Sequence, residues 1–156
     1  MKVAHYTSRK NWDAIRKAGV LLPHSECHVH PTQAGPPVVW LTTSETPEGQ
    51  GLDPDPTLAK LHDFAANDKR QVVILVDMPR SHAPKFFEWA PRHGGHPGWL
   101  DNVRHKLPGS SQWRVSTRPI PRGLWTAAFD IGTGAVLFIA PALRPVGFRS
   151  LHRGQR

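Results

Sequence analysis

The chain has 156 residues and a single cysteine, Cys27. That is enough for one domain burying roughly two-thirds of its unfolded surface, and it excludes an internal disulfide and makes a reducing compartment the simpler expectation. No apolar run approaches the roughly 20 residues of a membrane span, and the net charge of +8 arises entirely after residue 101. Residues 1–101 hold eleven Lys/Arg and eleven Asp/Glu, whereas residues 102–156 hold nine basic residues against Asp130.

Met1-Lys2-Val3-Ala4 enters a strand-like run with no signal-peptide core, so a soluble cytoplasmic protein without a membrane partner is expected. The first strand covers residues 2–7 and ends in His5-Tyr6-Thr7. A helix follows over 9–18, with Ser8 as N-cap and Gly19 as its stop. Trp12 and Ile15, three apart, face the core, and Leu21 and Leu22 close the turn. Residues 23–36 read as a loop. Residues 37–43 form a near-continuous apolar strand, covered on both faces.

The loop from Glu45 to Asp55 leads to a helix near 56–66, where Leu58, Leu61 and Phe64/Ala65 keep a three-to-four spacing. Val72–Val76 is the strongest strand and belongs at the centre of a sheet. Residues 79–109, rich in Pro, Gly, His and Trp, allow one helical turn around 99–105. Residues 112–118 alternate as a half-buried strand, and Pro119-Ile120-Pro121 turns the chain. Shorter strands follow over 124–131, 136–140 and 146–148, with Gly132-Thr133-Gly134 as a hairpin turn. The class expected is α+β in one domain, 1–156, with a basic C-terminal third.

Several chemistries are disfavoured. The hydroxyls of Thr42-Thr43-Ser44 and Ser110-Ser111 lack the context of an acyl nucleophile. No glycine-rich phosphate loop occurs. His24, Cys27, His28 and His30 crowd seven positions, with His93 and His96 as a conceivable second ligand pair. Histidines are numerous here and no Cys-x-x-Cys accompanies them, so no metal is assigned. A strand ending in a histidine, followed after a short helix by a strand with a central aromatic, suits a nucleotide-like ligand better. The basic third, with Trp113 and Trp125 interleaved, makes DNA or RNA the favoured macromolecular partner.

Three patches stand in a telling order. His5-Tyr6-Thr7 comes with the helix Asn11-Trp12-Asp13-Ala14-Ile15-Arg16-Lys17-Ala18-Gly19. Val38-Val39-Trp40-Leu41-Thr42-Thr43 is next, and then Ser111-Gln112-Trp113-Arg114-Val115-Ser116 before Pro119-Ile120-Pro121. This order resembles the ADP-ribosyltransferase fold in its diphtheria-toxin-like, His-Tyr-Glu branch, whose small bacterial and phage members include toxins that modify nucleic acid. The resemblance covers about half of the chain. It implies a pair of packed small β-sheets with short flanking helices, and NAD as substrate.

Carried over, the resemblance gives His5 the adenosine-ribose hydroxyl, the backbone at Tyr6 the nicotinamide carboxamide, and Trp40 the nicotinamide ring, with Thr7 and Thr42 beside them. Trp113, Arg114 and Arg118 would hold the acceptor. The family normally has a glutamate where Gln112 stands, so Gln112 and His5 take the catalytic positions, with Glu88 and Glu45 ranked below Gln112. An amide bonds a ribose hydroxyl but carries no charge to stabilise an oxocarbenium-like state. The implied activity is NAD-dependent ADP-ribosyl transfer to a macromolecular acceptor. The alternatives are an NAD- or ADP-ribose-binding module of the same fold, an RNA 2′-phosphotransferase using Arg9 and Arg114, and a plain basic nucleic-acid binder.

Overall fold

A computed structural model describes residues 1–24, 34–52 and 68–143. The expected helix near 56–66, the strand over 146–148, residues Cys27, His28 and His30, and the last four arginines lie outside the described residues. Eight strands occur among those described: β1 (Lys2–Thr7), β2 (Val20–Leu21), β3 (Val39–Thr42), β4 (Val72–Asp77), β5 (Trp113–Ser116), β6 (Ile120–Pro121), β7 (Trp125–Asp130) and β8 (Val136–Ile139). Six form an antiparallel sheet in the order β5-β3-β1-β4-β7-β8, and β2 pairs with β6 in a second, two-stranded sheet. The class is α+β. The two sheets are unequal, and the large one has β4, the strand expected at its centre, beside β1 in the middle.

Helix α1 (Arg9–Ala18) starts where Ser8 Oγ accepts the Asn11 N–H and stops at Gly19, which turns left-handed at φ 71°. Arg16 and Lys17 in its last turn complement the helix dipole. Trp12 is buried and Ile15 packs against the same core, but Leu22 is 59% exposed and closes nothing. Leu21 alone turns inward, because β2 presents its two residues to opposite sides.

Residues 79–109 hold more helix than their composition suggests. Besides 3₁₀ turns they contain α2 (Phe86–Trp89) and α3 (Pro97–Lys106). Proline at the first position of a helix loses no internal hydrogen bond, so Pro97 opens α3 instead of breaking it, with His96 Nδ1 capping the Trp99 N–H at 3.4 Å. No helix among the described residues is long and apolar enough to cross a membrane.

The large sheet separates two cores. Directly opposed residues of antiparallel strands share a face. Val3, His5 and Thr7 stand opposite Val76, Ile74 and Val72, and these in turn reach Trp125, Ala128 and Asp130. This face is mostly aliphatic and lies under α1, with Trp12 and Trp125 6.1 Å apart. The other face carries Trp40, Val115 and Trp113 and is covered by α2 and α3 through Phe86, Trp89 and Leu100. An isobutyl-sized side chain fully removed from water contributes about 1.5–3 kcal/mol, so both layers hold the sheet firmly.

Candidate functional site

The six strands are not joined equally. β1 and β4 run together through six matched pairs, from Lys2 opposite Asp77 to Thr7 opposite Val72. β1 and β3 are matched at one pair, Ala4 opposite Thr42. Continuing that register by two would set Tyr6 against Trp40. There a side chain joins the strands: His5 Nδ1 lies 2.9 Å from the Trp40 carbonyl oxygen. The imidazole thus bridges the line at which the matched pairing of β1 and β3 ends.

Alternation along the strands then decides which predicted residues meet. Ala4 shares a face with Thr42, and Thr42 and Trp40 stand opposite Trp113 and Val115. Tyr6, Trp40, Thr42 and Trp113 therefore look to the aromatic face, whereas His5 and Thr7 look to the aliphatic one. His5 and Trp40 do not share a wall. They meet through the carbonyl bond, from opposite sides of the parting.

Trp40 is half-buried, tilted on Phe86 at 4.7 Å and met edge-on by Trp113 at 5.5 Å. The Tyr6 hydroxyl donates to the Ser44 carbonyl at 3.4 Å, and the phenol is pushed up to about 12, first by burial and then by the carboxylates of Glu48 and Glu45. Thr42 Oγ1 accepts the Ser44 N–H at 3.0 Å and so shapes the turn out of β3. Gln112 ends a 3₁₀ turn (Pro108–Gln112); its side chain is exposed, and its backbone carbonyl accepts the Thr43 N–H at 3.1 Å.

The segment after β3 therefore lies between Tyr6 and Gln112. It continues into a tight contact with the 3₁₀ turn. The Gly109 N–H donates to the Gly49 carbonyl at 3.1 Å, and Gln50 Nε2 donates to the Gly109 carbonyl at 3.2 Å. A Cβ on Gly109 would stand 2.4 Å from the Gly49 oxygen, which explains the glycine there. Two buried polar atoms at this junction, Gln50 Oε1 and Ser110 Oγ, have no hydrogen-bond partner among the described residues. Such groups normally cost free energy, and they favour a polar guest.

Charge is distributed unusually here. Six of the eight described carboxylates are in ion pairs: Asp13, Asp68, Asp77, Glu88, Asp101 and Asp130. Glu45 and Glu48 are not, among the described residues. The Glu48 carboxyl is held below its usual range by its own backbone N–H and by the Thr46 hydroxyl, so it stays ionised. Glu88, by contrast, is on α2 and bonds Lys85 at 3.1 Å. Of the two alternative carboxylates read from the sequence, Glu45 is beside the site and Glu88 is not. Glu48 and Gln50 escaped the sequence reading. The signal available was the run Ser44-Glu45-Thr46-Pro47-Glu48-Gly49-Gln50-Gly51, a polar turn directly behind an apolar strand.

Other candidates are committed to the fold. Arg9 grips Asp130 with two bonds, Nε to Oδ2 at 2.5 Å and Nη2 to Oδ1 at 3.0 Å. Arg114 Nη1 donates to the Ala83 carbonyl at 3.1 Å. The pair needed for the phosphotransferase alternative is thus engaged elsewhere. Arg118 caps a small turn through its backbone, bonded both ways with Ser116 Oγ, and its side chain is exposed. His24 pairs with Val38 across a short bridge, His93 lies flat on Trp89 at 4.4 Å, and His96 caps α3. Among the described residues no three His, Cys, Asp or Glu side chains group as a metal site. No family model, curated protein or solved structure matches the chain.

Proposed function

We propose that this protein is an NAD-dependent ADP-ribosyltransferase whose donor enters along the parting of β1 and β3. One observation carries the reading: the two strands that bear His5-Tyr6-Thr7 and Trp40 are matched at a single pair, with the His5 imidazole bridging the rest. A ligand on the aromatic side of this line meets the Tyr6 phenol and the Trp40 indole, while His5 holds the Trp40 carbonyl from the other face. Gln50 Oε1 and Ser110 Oγ, without hydrogen-bond partners among the described residues, offer further polar contacts nearby. In the reaction the N-glycosidic bond breaks, nicotinamide leaves with the bonding electron pair, and the acceptor nucleophile closes on the anomeric carbon as its proton departs. Negative charge near that carbon lowers the barrier. Gln112 has none to give, so Glu45 and Glu48, neither of them in an ion pair among the described residues, supply it.

A second reading has its own support. Gln112 is neutral and exposed, and its tie to the site is through its backbone. A module that binds NAD or ADP-ribose without turnover would need no more. Incubating the protein with adenylate-labelled NAD and separated DNA, RNA and protein acceptors distinguishes the two. Transfer of label together with released nicotinamide is the expected result. Gln112→Glu should then accelerate nicotinamide release by about 10- to 100-fold, and Glu45→Gln should slow it. Saturable NAD binding with no release from any of these proteins leaves the module. Absence of NAD binding removes both readings.

A further inference from the structure

We infer that the surface along β5 and the segment paired to its edge is a track for single-stranded nucleic acid, leading to Gln112. The inference rests on the transferase reading only for what the track delivers; the binding itself needs no NAD. Residues 80–118 contain seven Lys/Arg and two acids, Glu88 and Asp101. Both acids are already paired, with Lys85 at 3.1 Å and Arg104 at 3.7 Å. The chain before α2 runs antiparallel to β5, with Lys85 opposite Arg114 and the Val115 N–H donating to the Pro84 carbonyl at 3.2 Å. That covers the open edge of the sheet and brings the start of the segment beside the far end of β5. Arg80 and Arg118, both exposed and in no ion pair among the described residues, therefore stand at that end.

The other end is aromatic. Phe87 and Trp113 lie nearly parallel, 7° apart with centroids at 6.4 Å, and the Arg104 guanidinium sits over the Phe87 ring at 4.6 Å. Both rings are half-buried, and Lys106 is exposed on the last turn of α3. Five residue steps from Trp113 to Arg118 span roughly 17 Å of extended chain. Cations at one end and a stack of three planes at the other match the chemistry of an unpaired strand. Its phosphates need point charges, and its bases have free π-faces that can extend a stack of aromatic and guanidinium planes. A duplex keeps those faces covered. This commits the surface to single-stranded DNA or RNA, and it makes the acceptor site continuous with Gln112 at the head of β5.

The test is fluorescence anisotropy of labelled oligonucleotides about 12 nucleotides long, single-stranded and duplex, in the absence of NAD across roughly 50 to 200 mM salt. Saturable binding of the single strand is expected, with a log–log salt slope of about −2 to −3 for four phosphate contacts. Replacing both Arg80 and Arg118 by Ala should reduce the slope by about 1.4, and these exposed sites leave the fold unchanged. Phe87→Leu, checked for folding by its melting curve, should weaken binding roughly tenfold. The inference is overturned by no saturable binding at low salt, by a slope unchanged in the double arginine variant, or by a duplex bound as tightly as the single strand. A protein that binds the strand but releases no nicotinamide keeps this inference and loses the transferase reading. One that labels only protein acceptors and binds no strand does the reverse.

Discussion

The two faces of the large sheet use different chemistry for different ends. On the aliphatic face, Val72, Ile74 and Val76 have no exposed surface, and α1 is clamped down by Arg9 on Asp130. On the aromatic face, Trp40, Phe87, Trp99 and Trp113 pack against a buried Phe86 yet each keeps part of its surface open. A protein that wanted only stability would close both sides alike. Large rings left half-covered under a basic layer are what a binding face needs, since stacking requires an accessible plane. On the proposed reading, one face serves chiefly folding and the other recognition.

The sharpest way to break that division is to cut into each side. Ile74→Ala should lower stability by about 2–5 kcal/mol, the usual cost of a buried large-to-small change. NAD and oligonucleotide affinity of the folded fraction should be unchanged; urea denaturation and titration measure both. Trp40→Leu should lose about 1–3 kcal/mol of nucleotide affinity. If Trp40→Leu instead loses stability alone, Trp40 belongs to the structural face and the division fails.

A smaller effect probes the aromatic face at high pH. Tyr6 is the sole tyrosine of the chain, so phenolate absorbance follows one group. Its midpoint should be near 12 in the folded protein and near 10 after unfolding. Because the folded value is raised, its contribution to stability is complete below pH 10 and fades as pH climbs through 12. Glu48→Gln should bring the midpoint down, since one of the raising charges is gone. A midpoint near 10 in the native protein would place the phenol in water and detach it from the site.

The smallest effect concerns the aliphatic face at low pH. Arg9 first, then the Thr133 backbone and hydroxyl, hold the Asp130 carboxyl far below its ordinary 3.8. A depressed value means stability present above that ordinary range and lost on acidification through the folded value. The melting temperature of the parent should therefore fall more steeply below about pH 4 than that of Asp130→Asn. Parallel acid profiles for the two proteins would show that the clamp contributes nothing measurable.

Much of this arrangement was legible in the residues. β1, α1 with both of its caps, the central place of β4 and the β7–β8 hairpin follow from apolar runs, Ser8, Gly19 and Gly134, because those signals are local. Parity was not legible. Whether His5 and Trp40 share a face depends on the register between β1 and β3, and a shift of one residue reverses it. The helix at 86–89 and the full length of α3 beyond the turn expected at 99–105 were hidden by composition, since proline and glycine read as breakers until proline's tolerance at a helix start is considered. Gln50 and Ser110 are 60 positions apart, and only the closed chain makes them neighbours with unsatisfied atoms. The fold was thus largely readable, whereas which of the candidate residues meet, and on which face, was not.

The single match between β1 and β3 also bears on how the molecule breathes. A sheet joined so lightly at one line offers a natural boundary between cooperative units. Separating the β5-β3 pair, with α2 and α3 over it, from the β1-β4-β7-β8 block breaks the Ala4–Thr42 match and the His5–Trp40 and Tyr6–Ser44 hydrogen bonds and lifts Val39 and Leu41 out of the aliphatic core, while the aromatic core stays with β3 and β5. Amide hydrogens of β3 and β5 should therefore exchange through a sub-global opening, well before those of β4, which wait for global unfolding. The same opening widens the line between His5 and Trp40, so on the proposed reading entry of the donor and the first step of unfolding share one hinge.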